Sequence, residues 1–190
     1  MESQGNDIEL FWKSRKESKK PSQLQRYEAK GSPEIIKNFI AIGGGPKMGS
    51  TLEDFARFRF KALNKREKGK EETGYDQVIK VDEHKIYVEQ KSSGHWGEDD
   101  YKWQHIEKKH KWNILLLCGI DYTDIRFWMM NRATFNKLID EKKITNQGNK
   151  MEDSSEGMWF NYSDVKEHLV EVRTDEEIIE FVRKVLCESV

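Results

Sequence analysis

Cysteine, long apolar runs and a surplus of either charge are all missing from this chain. Its two cysteines, Cys118 and Cys187, supply neither a disulfide framework nor the spacing of a cysteine-ligated metal, and they suit a reducing, cytoplasmic compartment. The longest apolar stretch, residues 114–118, falls far short of the roughly 20 residues that cross a bilayer, so no membrane partner is expected. Residues 1–10 are acidic and have no apolar core, which sets aside a secretory signal. There is no Gly-x-x-x-x-Gly-Lys-Ser/Thr loop to support a nucleotide-driven activity, and no internal repeat. Lys and Arg (33) balance Asp and Glu (34) to a net charge of -1, so any polyanion would have to be held by local basic patches.

What is present is charge in quantity. Charged residues make up 35% of the chain and the mean hydropathy is -0.89, the profile of a soluble domain with a heavily decorated surface. Basic residues concentrate over 13–30 and 57–70, which is compatible with a polyanion partner. With 190 residues the expectation is one domain able to bury a real core. Its parts would be a helical extension over 1–45, a core over 50–142, and a polar loop with C-terminal helices over 143–190. Apolar spacing predicts helices over 7–20, 34–42, 133–142 and 175–186. Ser50 to Glu53 reads as a capping box opening another helix, after a flexible break at residues 43–46. Residues 64–73 read as a polar surface link, 113–120 as a strand buried on both faces, and 125–130 as its neighbour across a turn at 121–124.

The chemistry concentrates in two short stretches, 74–80 and 85–91, which read as paired strands. Side chains alternate along a strand, so Ile86 and Val88 face one side while Tyr87, Glu89 and Lys91 face the other, beside Asp76 on the neighbouring strand. Carboxylates converging at one edge suit a hard divalent cation, and a lysine beside them can orient or activate water. That combination serves phosphodiester cleavage.

An Asp at one strand and Glu-x-Lys on the next, here Asp76 and Glu89-Gln90-Lys91, resembles the signature of the PD-(D/E)xK nuclease superfamily and most of all its type II restriction endonucleases. Gly74-Tyr75-Asp76 stands where the family has Pro-Asp. The resemblance implies an α/β (α+β) fold with a central four- to five-stranded mixed sheet flanked by helices. It implies a magnesium site, with manganese able to substitute, held by Asp76, Glu89 and the carbonyl of Gln90. It further implies Lys91 as the residue that handles the attacking water, double-stranded DNA as substrate, and a homodimer for cutting both strands. In the family the helix before the hairpin often adds an acid. Glu53 matches that position, and its other reading is as the cap of its own helix. A helix is expected over 98–111 after a loop at 92–97, with Gln104 and Lys102 the candidates to reach the water or the phosphate and His105 and His110 as surface residues. Gln147, Asn149 and Lys150 in the polar loop are of the kinds that read base edges and phosphates. Two other readings stand beside this one: a structure-specific nuclease of the Holliday-junction resolvase kind, and a non-catalytic DNA-binding module of the same fold. An RNA-cutting cap-snatching domain is disfavoured, since no histidine precedes His84.

Overall fold

A computed structural model describes residues 21–43, 45–66, 74–97, 99–147 and 157–188. The helix expected over 7–20 lies outside these residues. Among the described residues three helices come first: α1 (Gln23–Ala29), α2 (Glu34–Ala41) and α3 (Pro46–Arg59). The strands β1 (Leu63–Lys65), β2 (Gln77–Val81), β3 (His84–Trp96), β4 (Asp100–Ile106), β5 (Ile114–Ile120) and β6 (Ile125–Asn131) follow. The chain then runs through α4 (Arg132–Asp140), β7 (Thr145–Asn146), β8 (Met158–Asn161), α5 (Tyr162–Val165), β9 (Val170–Val172) and α6 (Asp175–Glu188). Among the described residues no helix is long and apolar enough to cross a membrane.

The fold is mixed α/β, with a mostly antiparallel mixed sheet flanked by helices. Among the described residues the order β7-β8-β4-β3-β5-β6-β9, with β2 and then β1 added beside β3, makes nine strands where four or five were expected. β3 and β5 run parallel; the other pairings are antiparallel. All seven residues of β5 are buried, and their alternation splits the core in two. Ile114, Leu116, Cys118 and Ile120 pack with Tyr27, Ile36, Ile40, Leu52, Ala56, Ile178 and Val182 from the four helices α1, α2, α3 and α6. Leu115 and Leu117 pack on the opposite face with Trp103, Trp112, Trp128, Phe135 and Phe160. Each such side chain contributes about 1.5–3 kcal/mol of burial, so β5 is the spine from which both layers take their position.

Four expectations need correction. Residues 100–106 form the strand β4, not part of a helix over 98–111: Tyr101 and Trp103 point inward at period two, and a register shift between Trp103 and Ile106, with His105 at φ 59°, brings Ile106 back to the same buried face. The loop expected over 92–97 is strand as far as Trp96, because β5 pairs with β3 from Val88 to Gly94 and carries it past the Ser-Ser-Gly signal. α3 begins at Pro46, with Gly45 turning the chain at φ 87°. Ser50 and Thr51 therefore lie within the helix, their hydroxyls donating to the Lys47 carbonyl at 3.1 and 2.8 Å, and Glu53 is not a capping residue. The link expected over 64–73 opens with β1, paired to β2, and residues 67–73 lie outside the described ones.

Other elements follow the sequence closely. α2 starts after Pro33, β5 and β6 pair across the turn where the Asp121 N–H donates to the Asp124 carbonyl at 2.7 Å, and α6 lays Ile178 and Val182 on the core. Of the polar stretch 143–162, both described ends pair with each other as β7 and β8, and Met158 and Phe160 turn inward.

Candidate active site

The site is organised by a gap in strand pairing. β2 pairs with β3 at residues 84–88 and β4 pairs with it at 95–96, while the stretch from Glu89 to Gly94 is laddered to β5 alone. Asp76 stands at the near end of that gap. Its N–H donates to the Val88 carbonyl at 2.9 Å, and its Oδ2 accepts the Gln90 N–H at 2.9 Å, so a carboxylate takes the place that the next strand residue would fill. Residues two apart in a strand direct their N–H and C=O to the same side, which aims the Gln90 carbonyl toward Asp76 as well.

Glu89 and Lys91 project from the adjacent positions on one face, and Lys91 Nζ lies 2.7 Å from Glu89 Oε1. The Glu89 side chain is 6% exposed and that of Lys91 22%, so the lysine is the more accessible of the two. α3 brings Glu53 to the same place one layer above the sheet, with Arg57 Nη1 at 3.9 Å from its Oε2. Burial, then the charge of Asp76, push the Glu53 carboxyl up to about 7, with Arg57 opposing and Glu89 adding a smaller push. Burial and Asp76 likewise raise Glu89, against the pull of Lys91. Burial and the nearby carboxylate of Asp76 raise the proton affinity of Glu53 and Glu89, and such a local surplus of negative charge is one a divalent cation would relieve.

The oxygen donors present are of the kind a hard divalent cation takes. Among the described residues no three His, Cys, Asp or Glu side chains close into a cage by themselves. Asp76 and Glu89 would supply two carboxylates and Gln90 a main-chain carbonyl, a sparse protein coordination that magnesium accepts because it keeps several of its waters.

Glu53, Asp76, Gln90 and Lys91 open onto a cavity of about 740 Å³, while the Glu89 carboxylate lies behind Lys91 and does not line it. Its walls come from the start of α3 through Glu53, from Asp76, from β3 between Gln90 and Trp96, and from Lys102, Gln104 and His105 of β4. Lys102 and Gln104 thus reach the cavity as expected, although from a strand rather than a helix. The strand also explains why both do so: they are two residues apart and share a face. Gln147 is elsewhere, following β7 with its N–H bonded to the Gly157 carbonyl at 3.0 Å, and it does not line the cavity. Asn149 and Lys150 lie outside the described residues.

Sequence reasoning overlooked Gln23 and Trp96. Gln23 Nε2 donates to the His95 carbonyl at 3.1 Å while Arg26 donates to the carbonyls of His95 (3.0 Å) and Gly97 (2.8 Å), so α1 clamps the far end of β3 beside the cavity. No local pattern in α1 announces this, because its targets are some 70 residues away: the Arg26–Gly97 bond spans 71 positions. Trp96 did carry a signal, an aromatic residue amid polar ones directly after Ser-Ser-Gly-His. No family model, no curated protein and no solved structure matches this chain.

Proposed function

We propose that the chain is a magnesium-dependent endonuclease with a restriction-endonuclease-like core, hydrolysing phosphodiester bonds in DNA. The observation that carries this reading is that Glu53, Asp76 and Lys91 line one open cavity, with Glu89 buried behind it and 2.7 Å from Lys91. A glutamate serving only on the solvated face of an edge strand would not be buried as Glu89 is, nor raised in proton affinity by burial and a neighbouring aspartate. A helix, a hairpin and a parallel partner strand surround the site in the order the resemblance implies, with β4 in place of its second helix.

Magnesium held by Asp76, Glu89 and the Gln90 carbonyl would polarise the phosphoryl oxygen and make a water more acidic. Lys91, its ammonium held by Glu89, offers its remaining donors to orient the attacking water and the phosphate. Glu53, whose carboxyl burial and the charge of Asp76 push up to about 7, would accept that water's proton. Gln104 and Lys102 of β4 would bind the phosphates on either side. In its fuller form the enzyme is a site-specific restriction endonuclease acting as a homodimer, one site for each strand.

Incubating the protein with phage and plasmid DNA and magnesium tests this. Discrete bands support the site-specific form. A smear, or cutting confined to branched substrates, supports a nuclease of another specificity. No cleavage of any of these substrates with magnesium or manganese would overturn the nuclease reading and leave a DNA-binding module of the same fold.

A further inference from the structure

Beyond the acids, the cavity has a second chemical feature at its far end. Trp96, the last residue of β3, is 61% exposed although tryptophan is among the most extensively buried residues, and its neighbours Gly94 and His95 are buried. Its backbone is fixed: it pairs with Asp100 of β4, and Arg26 holds the carbonyls on either side of it. Lys102 extends across the same rim, its Nζ 5.3 Å from the centre of the Trp96 ring and 4.1 Å from that of Trp159. Trp159 is itself held by an Nε1 bond to the Asn146 carbonyl at 3.1 Å. A rigidly presented indole with a free face and a cation beside it is a platform for a flat, electron-rich ring attached to phosphate.

Granting the nuclease reading, on which this rests, we infer that Trp96 stacks an unpaired base of the substrate while Lys102 meets its backbone. Base faces inside a duplex are covered by their neighbours, so only a single-stranded, bulged or extruded nucleotide can lie on the ring. Trp96 is five residues along β3 from Lys91, roughly 17 Å at about 3.4 Å per strand residue. The unpaired nucleotide therefore sits a few positions from the cleaved phosphate. The substrate class is DNA with a single-stranded segment or a local distortion next to the cut, whether present in the substrate or made by extruding a base at a recognised site.

The test is binding, read apart from cleavage. Fluorescence anisotropy in EDTA compares a labelled single strand, its duplex, and the duplex with one bulged base. The wild type is expected to prefer the single strand and the bulge. Trp96→Ala should weaken both by at least about five-fold, the low end for loss of one base–aromatic stack, leave the plain duplex unchanged, and be rescued by Trp96→Phe. Unchanged binding in Trp96→Ala, equal losses on all three substrates, or a change in oligomeric state in place of binding would each overturn the inference. If Trp96-dependent binding is found but no DNA is ever cut, the stacking platform stands and the nuclease reading falls. If DNA is cut but Trp96→Ala binds and cuts the bulged duplex as well as the wild type does, the reverse holds.

Discussion

At the residue scale, the acids are distinguished by their surroundings more than by their identity. Glu53 faces Asp76 and Glu89 from a helix and has its carboxyl raised from the ordinary 4.5 to about 7, burial being the larger cause. Between those two values the folded protein binds more protons at this group than the unfolded chain does. The group's contribution to stability is therefore complete below about pH 4.5 and is lost as pH rises through about 7. Glu53→Gln fixes the neutral form. Variant and wild type should unfold alike at pH 4, while at pH 8 without metal the variant should be more stable by about 1–2 kcal/mol, a figure reduced from the full shift because the carboxyl is partly solvated. Urea unfolding at the two pH values measures this, and equal stability at both would show that the carboxyl is not strained by its neighbours. If Glu53 takes the proton of the attacking water, the same variant should cut at least about 100-fold more slowly at neutral pH.

At the element scale, β4 forms one wall of the cavity, and its position is set by Tyr101 and Trp103 laid against β5. A Cβ added at Gly119 would lie 2.8 Å from both Trp128 Cζ3 and Tyr101 Cε1, so the absence of a side chain is what lets Tyr101 settle there. Gly119→Ala should cost about 1–3 kcal/mol through overpacking, seen as a lower denaturation midpoint. It should also weaken DNA binding, because Lys102 and Gln104 move with the strand. An Ala variant of wild-type stability would contradict the close approach of Tyr101 to Gly119. This element was also the hardest to read. Tyr101, Gln104, His105 and Lys108 fall at helical intervals, and the true period of two is broken by the irregularity before Ile106. The partner that settles the matter is distant: Trp103 Nε1 donates to the Cys118 carbonyl at 3.0 Å, and no neighbouring residue signals that bond. The hairpin of β2 and β3 was legible because its alternation and its acids are local. The dense apolar run of β5 and the amphipathic spacing of α6 were legible for the same reason. Glu53 was identified by position, but its capping role fell once Pro46 proved to begin α3 four residues earlier than Ser50.

At the scale of the whole molecule, the two core layers meet on β5, and the site lies where β3 leaves β2 before it reaches β4. A cation bound there would bind the folded state alone, so magnesium at 100 times its dissociation constant should raise the unfolding free energy by about 2.7 kcal/mol. Asp76→Ala should abolish that gain; a gain kept in the variant would place the metal elsewhere. The central claim is that this one cluster hydrolyses DNA. Its most direct test is the rate of plasmid cleavage by wild type, Asp76→Ala and Lys91→Ala in the same magnesium buffer, with DNA affinity measured in parallel. Both variants are expected to lose cleavage by about 1000-fold or more while retaining most of their DNA affinity. Cleavage at the wild-type rate by both would contradict the assignment.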